Sequence, residues 1–438
     1  MKRLALVTAA ITALLLAAPA WTQSPFRQTQ ADDYTRYELL APGTAQFRII
    51  YEVTATTPGA TVFYNVIRKG SEASDEAVYD RMTGQRLRFD VVSGSEARAA
   101  GLAGADADTS YIRIVLPRAV PKNGGEVRLR IDKTYKDAKS YFRQGDAIVF
   151  SRSLGIKRNA VVLPPAHELI GCNFPSQVLT EPDGRIAISF VNPGPSEVPL
   201  VIQARPVPEV GRRGAGGGPQ QVAGGGRESR PVRGQAVASA VPPSDAQRLT
   251  ERAHQDREIV YFLREPDTHA FSLYHDYTES RPGVDRYLNV VRAGSTVSNP
   301  SARVLDTGEE LKVETLKGSA ITRAGLDIGE AVRPDTEVVV VRFPAVAKGQ
   351  SLRLRIEETY TDPSRYRLDG DEMVWDRSLG RPYNAVVLPA GWLLTATSIP
   401  AVVTEQSDGR IRLDYVNGRP DEVSVLLKAR RRGASSGR

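Results

Sequence analysis

The chain contains one module twice. Residues 127–205 align with residues 352–430 at a constant offset of 225 without a gap, and 35 of the 79 aligned pairs are identical. With small insertions and deletions the similarity extends upstream, so that the copies span residues 33–206 (repeat 1) and 256–431 (repeat 2). A unit of this size can fold around its own hydrophobic core, so the sequence predicts two homologous domains.

Apolar and polar residues alternate along much of each repeat. The stretches 47–53 and 127–131 place an apolar residue at every second position, as in strands buried on one face. Further strands are predicted over residues 62–67, 87–92, 111–116, 147–150, 160–163, 185–191 and 198–204. About eight or nine short strands per repeat predict an all-β fold of two antiparallel β-sandwich domains, with a closed barrel as the alternative. Asp183-Gly184 and Asp408-Gly409 predict tight hairpin turns.

The N-terminus has the pattern of an export signal. Lys2 and Arg3 precede an apolar run that ends at Ala18, and Ala18-Pro19-Ala20 has the small-x-small form that signal peptidase cleaves. We expect residues 1–20 to be removed, residues 21–32 to be flexible, and the mature protein to be periplasmic or extracellular. An uncleaved anchor helix is the alternative, but the run is shorter than the ~20 residues that span a bilayer, so we expect no transmembrane segment after cleavage.

The segment between the repeats has a biased composition. Residues 207–255 contain glycine-rich runs mixed with Arg, Gln, Ser and Pro, and few bulky apolar side chains. This composition predicts a disordered linker with a short helix after Ser244, and it predicts that the two repeats reorient freely. Residues 432–438 are predicted to form a disordered tail. Part of the net charge of +7 comes from arginines in these segments, which we interpret as solubilising.

Motifs for metal or nucleotide chemistry are missing from the sequence. His167-Glu168 begins like a zinc-binding helix, but the residue four positions after His167 is Gly171, and no Gly-x-x-x-x-Gly-Lys phosphate loop occurs. The single cysteine, Cys172, cannot form an intramolecular disulfide and is expected to be buried. We therefore expect no metal, no cofactor and no nucleic-acid partner.

The repeats share one group of polar and aromatic residues. Tyr135, Asp137, Tyr141, Gly145, Asp146, Arg152 and Asn159 recur as Tyr360, Asp362, Tyr366, Gly370, Asp371, Arg377 and Asn384. In a structural interpretation, tyrosine and arginine tie a strand end to a neighbouring loop by buried hydrogen bonds. In a functional interpretation, the tyrosines stack on a glycan or peptide in a groove while arginine and aspartate bind its polar groups.

The functional interpretation points to repeat 2, which is richer in aromatic residues. Trp375, Tyr383 and Trp392 occur there at the positions of Phe150, Arg158 and His167. The candidate binding residues are Tyr360, Asp362, Tyr366, Asp371, Trp375, Arg377 and Trp392 in repeat 2, and Tyr135, Asp137, Asp146 and Arg152 in repeat 1.

A distinctive pattern precedes the central strand of repeat 2: Phe343-Pro344, then Lys348-Gly-Gln350, then Leu352-Arg-Leu-Arg-Ile-Glu-Glu-Thr-Tyr360. This pattern resembles a strand segment in the N-terminal β-domain of gluzincin aminopeptidases and covers some twenty residues per repeat. The resemblance implies the fold of an accessory β-domain only, since the zinc-binding His-Glu-x-x-His and the Gly-x-Met-Glu-Asn segment of those enzymes are missing. The whole repeat is also similar to a family of uncharacterised secreted bacterial β-sandwich domains, which implies no activity.

Two functions remain open for the sequence. The first is an exported, noncatalytic protein with a binding or structural role in the cell envelope, whose partner is a glycan, a peptide or a protein. The second is a glycan-directed hydrolase in which Asp137 and Asp146, or Asp362 and Asp371, act as acid and base. The hydrolase requires the two carboxylates to lie about 5 to 10 Å apart in an open cleft. We expect the noncatalytic protein.

Overall fold

The structure is a computed structural model that describes residues 25–207, 258–419 and 421–433. The predicted signal peptide, nearly all of the predicted linker with its short helix, and the last five residues of the predicted tail lie outside the described residues. The chain divides into two compact units. Unit 1 comprises Met1–Asp33 and Tyr51–Lys133, and unit 2 comprises Tyr34–Ile50 and Thr134–Arg438.

Repeat 1 and the residues just before it form thirteen strands and one short helix. These are β1 (Gln30–Leu39), β2 (Gln46–Ala55), β3 (Val62–Ile67), β4 (Glu72–Asp80), β5 (Phe89–Ser93), α1 (Gly94–Ala99), β6 (Ser110–Val115), β7 (Val127–Lys136), β8 (Tyr141–Gln144), β9 (Ala147–Leu154), β10 (Arg158–Val162), β11 (His167–Thr180), β12 (Ile186–Val191) and β13 (Val198–Pro206).

Repeat 2 has the same elements in the same order, with one added 3₁₀ turn. These are β14 (Glu258–Leu263), the 3₁₀ turn (Pro266–Thr268), β15 (Ala270–Glu279), β16 (Arg286–Val290), β17 (Thr296–Val304), β18 (Lys312–Lys317), α2 (Ser319–Arg323), β19 (Glu337–Arg342), β20 (Leu352–Thr361), β21 (Tyr366–Asp369), β22 (Glu372–Leu379), β23 (Tyr383–Val387), β24 (Trp392–Glu405), β25 (Ile411–Val416) and β26 (Val423–Arg431). The all-β prediction is confirmed, although each repeat has more strands than the eight or nine predicted.

In unit 2, strands from both repeats join into two continuous sheets. One sheet runs β8–β9–β13–β11–β24–β25–β23–β14–β15–β20–β17. The other runs β21–β22–β26–β24–β11–β12–β10–β1. The pairings are antiparallel except for β1 with β10 and β14 with β23. The long strands β11 and β24 take part in both sheets, and they therefore hold the two repeats together.

The pairing of β11 with β24 has the register of a pseudo-twofold axis. Gly171 lies opposite Thr404. Subtracting the repeat offset of 225 from 404 gives 179, so the pair is centred on Pro175 in repeat 1 and on its equivalent Pro400 in repeat 2. In twofold dimers the two partners contact each other through the same surface, and the β11–β24 pairing has this symmetry. The prediction that the repeats reorient freely is therefore wrong for the parts of them that lie in unit 2.

Large aromatic side chains from equivalent positions fill the core of unit 2. In repeat 1, Phe47 packs edge-to-face on Phe150, with ring centroids 5.4 Å apart. In repeat 2, Phe271 packs edge-to-face on Trp375, with centroids 6.4 Å apart. All four rings are fully buried. Each ring occupies an inward position of its strand, where every second side chain points into the core.

Each repeat adds a three-stranded sheet, with a short helix between its second and third strands in sequence. In unit 1 this sheet has the order β3–β6–β5, and in unit 2 it has the order β16–β19–β18. Helix α1 begins with a capping box, in which Ser93 accepts from the Glu96 backbone and Glu96 accepts from the Ser93 backbone. Gly94 is required here, because a Cβ at this position would meet the Asp106 carbonyl oxygen at 1.7 Å.

The segment before β1 departs from the prediction of a flexible N-terminus. Phe26 forms a parallel bridge with Leu102, and its backbone N donates to the Gly101 carbonyl at 2.8 Å. Gln28 donates to the Tyr64 carbonyl at 2.9 Å. These contacts order the described part of the segment within unit 1.

Candidate functional site

In repeat 1 the shared polar residues form a buried turn. Asp137 follows β7, and its Oδ1 accepts from the backbone N of Lys139 and of Ser140, both at 3.1 Å. Arg152 donates to Asp137 Oδ2 at 3.0 Å, and its guanidinium lies 5.5 Å from the centre of the Tyr135 ring. Asp137 is 8% exposed and Arg152 is 7% exposed. A charge-assisted bond between two buried partners fixes the end of β7 to β9.

Repeat 2 builds the same turn with different polar partners. Asp362 is fully buried, and its two carboxylate oxygens accept from the hydroxyls of Ser364 at 2.7 Å and Ser295 at 2.8 Å. Arg377 lies 3.8 Å from Asp362, and its guanidinium lies 5.5 Å from the centre of the Tyr360 ring. Both copies therefore match the structural interpretation of the shared residues.

The second shared tyrosine of each repeat also serves packing. The Tyr141 hydroxyl donates to the Leu40 carbonyl at 2.9 Å, and the Tyr366 hydroxyl donates to the Arg264 carbonyl. Burial raises the pKa of Tyr141 to about 12 and raises that of Tyr366 further. Each tyrosine thus ties the edge hairpin of its repeat to the loop after the first strand.

The exposed aspartates of the shared group lie at hairpin tips. Asp146 and Asp371 are exposed and follow glycines with φ of 64° in the two-residue loops between β8 and β9 and between β21 and β22. A glycine with positive φ at the first loop position suits such a turn. About 10 Å of strand β8 separates the turn at Asp137 from the tip at Asp146. The buried Asp137 and the exposed Asp146 therefore do not face a common cleft, and this geometry does not support the hydrolase hypothesis.

The two tryptophans proposed for the groove are also buried. Trp375 has no exposed surface and packs 5.4 Å from Tyr261 in the core. Trp392 is 3% exposed, donates from Nε1 to Glu265 at 3.3 Å, and lies under the guanidinium of Arg431. In this structure the groove predicted around Tyr360, Arg377 and Trp375 is occupied by the protein's own side chains.

A different surface of repeat 2 is open. We call it the repeat 2 outer face, and it is defined by outward side chains on β25, β23, β14, β15 and β20. These residues are Glu258, Phe262, Tyr274, Arg355, Tyr383, Arg412, Asp414 and Val416, and Arg355 covers the buried Asp276. The strand register places them on one side of one sheet, with Tyr383 opposite both Glu258 and Val416. Tyr383 is 54% exposed and Val416 is 71% exposed.

The charges of the repeat 2 outer face are paired with one another. Arg355 binds Asp276 through two hydrogen bonds of 2.8 and 2.7 Å, and Arg412 lies 2.7 Å from Asp414 and 3.5 Å from Glu258. Hydrogen bonding to these carboxylates raises the pKa of both arginines. The surface thus presents many donors and acceptors at nearly balanced charge.

Two shallow cavities lie next to each other on this face, and Tyr383 lines one of them. One has a volume of about 290 Å³ and is lined by Tyr383, Glu258 and Asp414 among others. The second has a volume of about 380 Å³, shares Asp414 and Val416 with the first, and reaches Pro175 of repeat 1. Their volumes fall at the lower end of the range for small-ligand sites, which begins at roughly 300 Å³.

The equivalent face of repeat 1 is closed by ion pairs. Glu38 stands at the position of Phe262, and Arg158 stands at the position of Tyr383. Arg36 contacts Glu181 at 2.5 Å and Glu38 at 2.8 Å, and hydrogen bonding to Glu181 is the main cause of the raised pKa of Arg36. Both copies of the duplicated sheet therefore carry ion pairs, and only the repeat 2 copy has aromatic rings at the positions of Glu38 and Arg158.

Sequence reasoning missed most of the repeat 2 outer face. Its residues come from five strands that are distant in the chain, and each strand contributes only one to three of them. Tyr383 was the one member singled out, because an aromatic residue there replaces Arg158. The remaining members are visible only when the strand register is known.

Comparisons with known proteins found weak similarity to peptidase structures. A crystal structure of an M1 zinc metallopeptidase from Deinococcus radiodurans is 12% identical, with a TM-score of 0.25, and the match covers 42% of each chain. A two-domain M1 zinc metallopeptidase bound to L-tryptophan is 13% identical, with the same TM-score and coverage. The match thus spans less than half the length of these peptidases. No protein-family profile and no curated protein matches the chain.

Within residues 25–207, 258–419 and 421–433, no helix has the length and apolar character needed to cross a membrane. In the same described ranges, no three or more His, Cys, Asp or Glu side chains are grouped so that they could hold a metal ion.

Proposed function

We propose that the chain is an exported, noncatalytic binding protein of the cell envelope, and that its repeat 2 outer face binds a neutral glycan. The observation that carries the proposal is the half-exposed ring of Tyr383 on a sheet surface whose charges are already paired. Export is proposed from the N-terminal signal pattern, and the envelope is the compartment in which an exported protein meets polysaccharide.

The chemistry of the face favours a glycan over a charged ligand. Tyrosine offers an apolar ring with a polar tip, which suits the alternating CH and OH groups of a sugar. Arg412 and Asp414 supply a donor and an acceptor beside it, and their mutual pairing leaves little net charge to attract an ion. Because bound water is readily exchanged at such paired groups, sugar hydroxyls can bridge to both of them.

The arrangement of the sheets supports a rigid binding platform. Strands β24, β25, β23 and β14 form one continuous sheet beneath Tyr383, and β24 is held by β11 of repeat 1. A site on paired strands loses little conformational entropy when it binds an extended ligand.

The test is a binding assay of the full mature protein with purified neutral envelope polysaccharides, by co-sedimentation or calorimetry. Tyr383→Ala is expected to weaken binding about tenfold, which corresponds to about 1.4 kcal/mol. Arg158→Ala, the matched change on repeat 1, is the control and is expected to leave binding unchanged. Equal affinity of the Tyr383→Ala variant and the wild type would refute the assigned face. Binding to peptides with no binding to any glycan would refute the ligand class.

A further inference from the structure

Four charged side chains meet at one end of the interface between β11 and β24. Glu168 and Arg205 come from repeat 1, Glu405 comes from repeat 2, and Arg432 directly follows the last strand of repeat 2, so that it is counted with repeat 2 here. Arg205 lies 2.6 Å from Glu168 and 2.5 Å from Glu405. Arg432 lies 3.1 Å from Glu168 and 4.0 Å from Glu405. Each arginine thus contacts one carboxylate of its own repeat and one of the other repeat, and we call this group the interface ion cluster.

The interface ion cluster is largely shielded from water. The Glu168 side chain is 2% exposed, and those of Arg205, Glu405 and Arg432 are 22 to 23% exposed. Glu168 accepts hydrogen bonds from Nε of both arginines, at 2.6 and 3.1 Å. Removing one partner of a buried pair leaves an uncompensated charge, so the cluster discriminates strongly between a correct and an incorrect partner.

The opposite end of the interface carries no equivalent cluster. By the repeat offset, the positions of Glu168 and Glu405 are taken there by Leu393 and Thr180. The contact at that end is a hydrogen bond of 2.9 Å from the Thr180 hydroxyl to the Thr395 carbonyl. The backbone pairing is therefore nearly twofold symmetric, whereas the side chains are not.

This asymmetry decides which pairs of repeats are compatible. A repeat 1 paired with a second repeat 1 would bring Glu168 and Arg205 against Thr180 and Val207. A repeat 2 paired with a second repeat 2 would bring two arginines, Arg430 of one copy and Arg432 of the other, to the single carboxylate of Glu405, since Leu393 replaces Glu168. Only repeat 1 with repeat 2 assembles two carboxylates and two arginines.

We infer that the interface ion cluster makes repeat 1 pair selectively with a repeat 2, and that the partner repeat can belong to a second copy of this chain. We call this selectivity the pairing code. The selected surface is the same in both cases, because each arginine contacts a carboxylate of the other repeat whether or not the two repeats belong to one chain. Residues 208–257 join the repeats, and a connection of that length does not confine the pairing to one chain. Within one chain the effective concentration favours the monomer, so the exchanged dimer forms when internal pairing is weakened.

The test uses two full-length variants with opposite charge reversals, Glu168→Arg and Arg432→Glu. Each variant alone places three like charges and one opposite charge in its own cluster. In a reciprocal dimer of the two variants, one interface has the reversed but matched pair and the other interface is wild type. We expect each variant alone to be monomeric and less stable. A co-refolded 1:1 mixture should yield heterodimer at roughly tenfold the level of mixed wild-type chains, measured by light scattering and a two-tag pull-down.

The control is the double variant carrying both changes in one chain, which should be monomeric with wild-type stability. If either single variant fails to fold, the more exposed pair Arg205→Glu and Glu405→Arg repeats the same design. A mixture of folded variants that stays as two monomers would overturn the exchange with a second copy. A double variant no more stable than the single variants would overturn the pairing code.

Discussion

The sheet face around Arg36 in repeat 1 is covered by ion pairs, whereas the equivalent face in repeat 2 combines ion pairs with the exposed ring of Tyr383 and the partly buried rings of Phe262 and Tyr274. The inward side chains of the same strands are nearly interchangeable, since Phe47 and Phe271 occupy equivalent core positions. Inward positions are constrained by close packing, while outward positions are constrained only by solubility and by any ligand. The duplication has thus kept one core and produced two different surfaces.

A second contrast concerns the buried charge on the central strand of each repeat. In repeat 1, Lys133 donates to Asn65 at 2.7 Å. In repeat 2 the equivalent residue is Glu358, which accepts from Asn289 at 2.7 Å. The amide group of asparagine can accept through its oxygen or donate through its nitrogen, so the same residue accommodates charges of opposite sign.

The largest effect is expected from truncating the aromatic core, where the repeats are alike. Trp375→Ala and the matched Phe150→Ala should each lower the free energy of unfolding by about 3–5 kcal/mol, because each leaves a cavity in a buried aromatic cluster. Denaturant unfolding measures both values. A loss below about 1 kcal/mol in one repeat would show that the two cores are not equivalent.

The buried Glu358 should make stability depend on pH. Burial raises the pKa of Glu358 despite hydrogen bonds from Asn289 and Tyr360. A carboxyl with a raised folded-state pKa contributes stability that is fully present below its unfolded pKa and is lost as pH rises through the folded value. Glu358→Gln should therefore increase the free energy of unfolding at pH 7, with the gain shrinking towards pH 4.

The exposed neighbour Glu357 provides the matched control for that experiment. Glu357→Gln, one residue earlier on β20, should leave the pH profile of unfolding unchanged. A Glu358→Gln variant with the wild-type profile between pH 4 and 7 would contradict the assignment of a destabilising buried carboxylate.

A smaller effect is expected at the ion-pair face of repeat 1. Arg36→Ala removes contacts with Glu181 and Glu38, and the Arg36 side chain is 20% exposed. We expect a loss of about 1 kcal/mol in the free energy of unfolding, reduced in 1 M salt because partly exposed charges are screened. A loss that is equally large in high salt would point to lost packing instead of lost charge pairing.

The smallest effect is expected from introducing the tyrosine of the repeat 2 outer face at the equivalent position of repeat 1. Arg158→Tyr places a tyrosine in repeat 1 at the position of Tyr383, but Glu38 remains where repeat 2 has Phe262. When Tyr383 is also changed to Ala, we expect this variant to bind glycan no more tightly than the Tyr383→Ala single variant. Recovery of binding would mean that one exposed ring suffices and that the rest of the repeat 2 outer face is dispensable.

Local sequence pattern predicted the strands whose buried and exposed residues alternate. Strand β3 was predicted with its observed bounds, and the turns at Gly184 and Gly409 have the positive φ that was expected. Strands β1, β4, β8 and β11 were missed. Strand β8 has only four residues, and β11 passes between two sheets. In β1 and β4 some of the buried positions hold polar residues, Thr35 and Asp80, so apolar and polar residues do not alternate in the sequence.

The candidate site was predicted less well than the fold. The shared residues around Arg152 and Arg377 were compatible with both a buried turn, which the sequence favoured, and a groove, because both uses require the same side chains. Burial separates the two interpretations, and burial depends on neighbours such as Phe47 and Phe271 that are distant in sequence. The repeat 2 outer face was hidden for the same reason.

The sequence by itself determined that the chain holds one β-module twice, because a gapless offset and a period of two are properties of the chain alone. Only the tertiary structure decided that β11 and β24 pair about Pro175 and Pro400 and join the repeats into shared sheets. Pairing of distant strands depends on backbone groups that every residue carries, so side-chain pattern does not reveal it. For the same reason, the sequence pattern did not predict the interface ion cluster or the repeat 2 outer face.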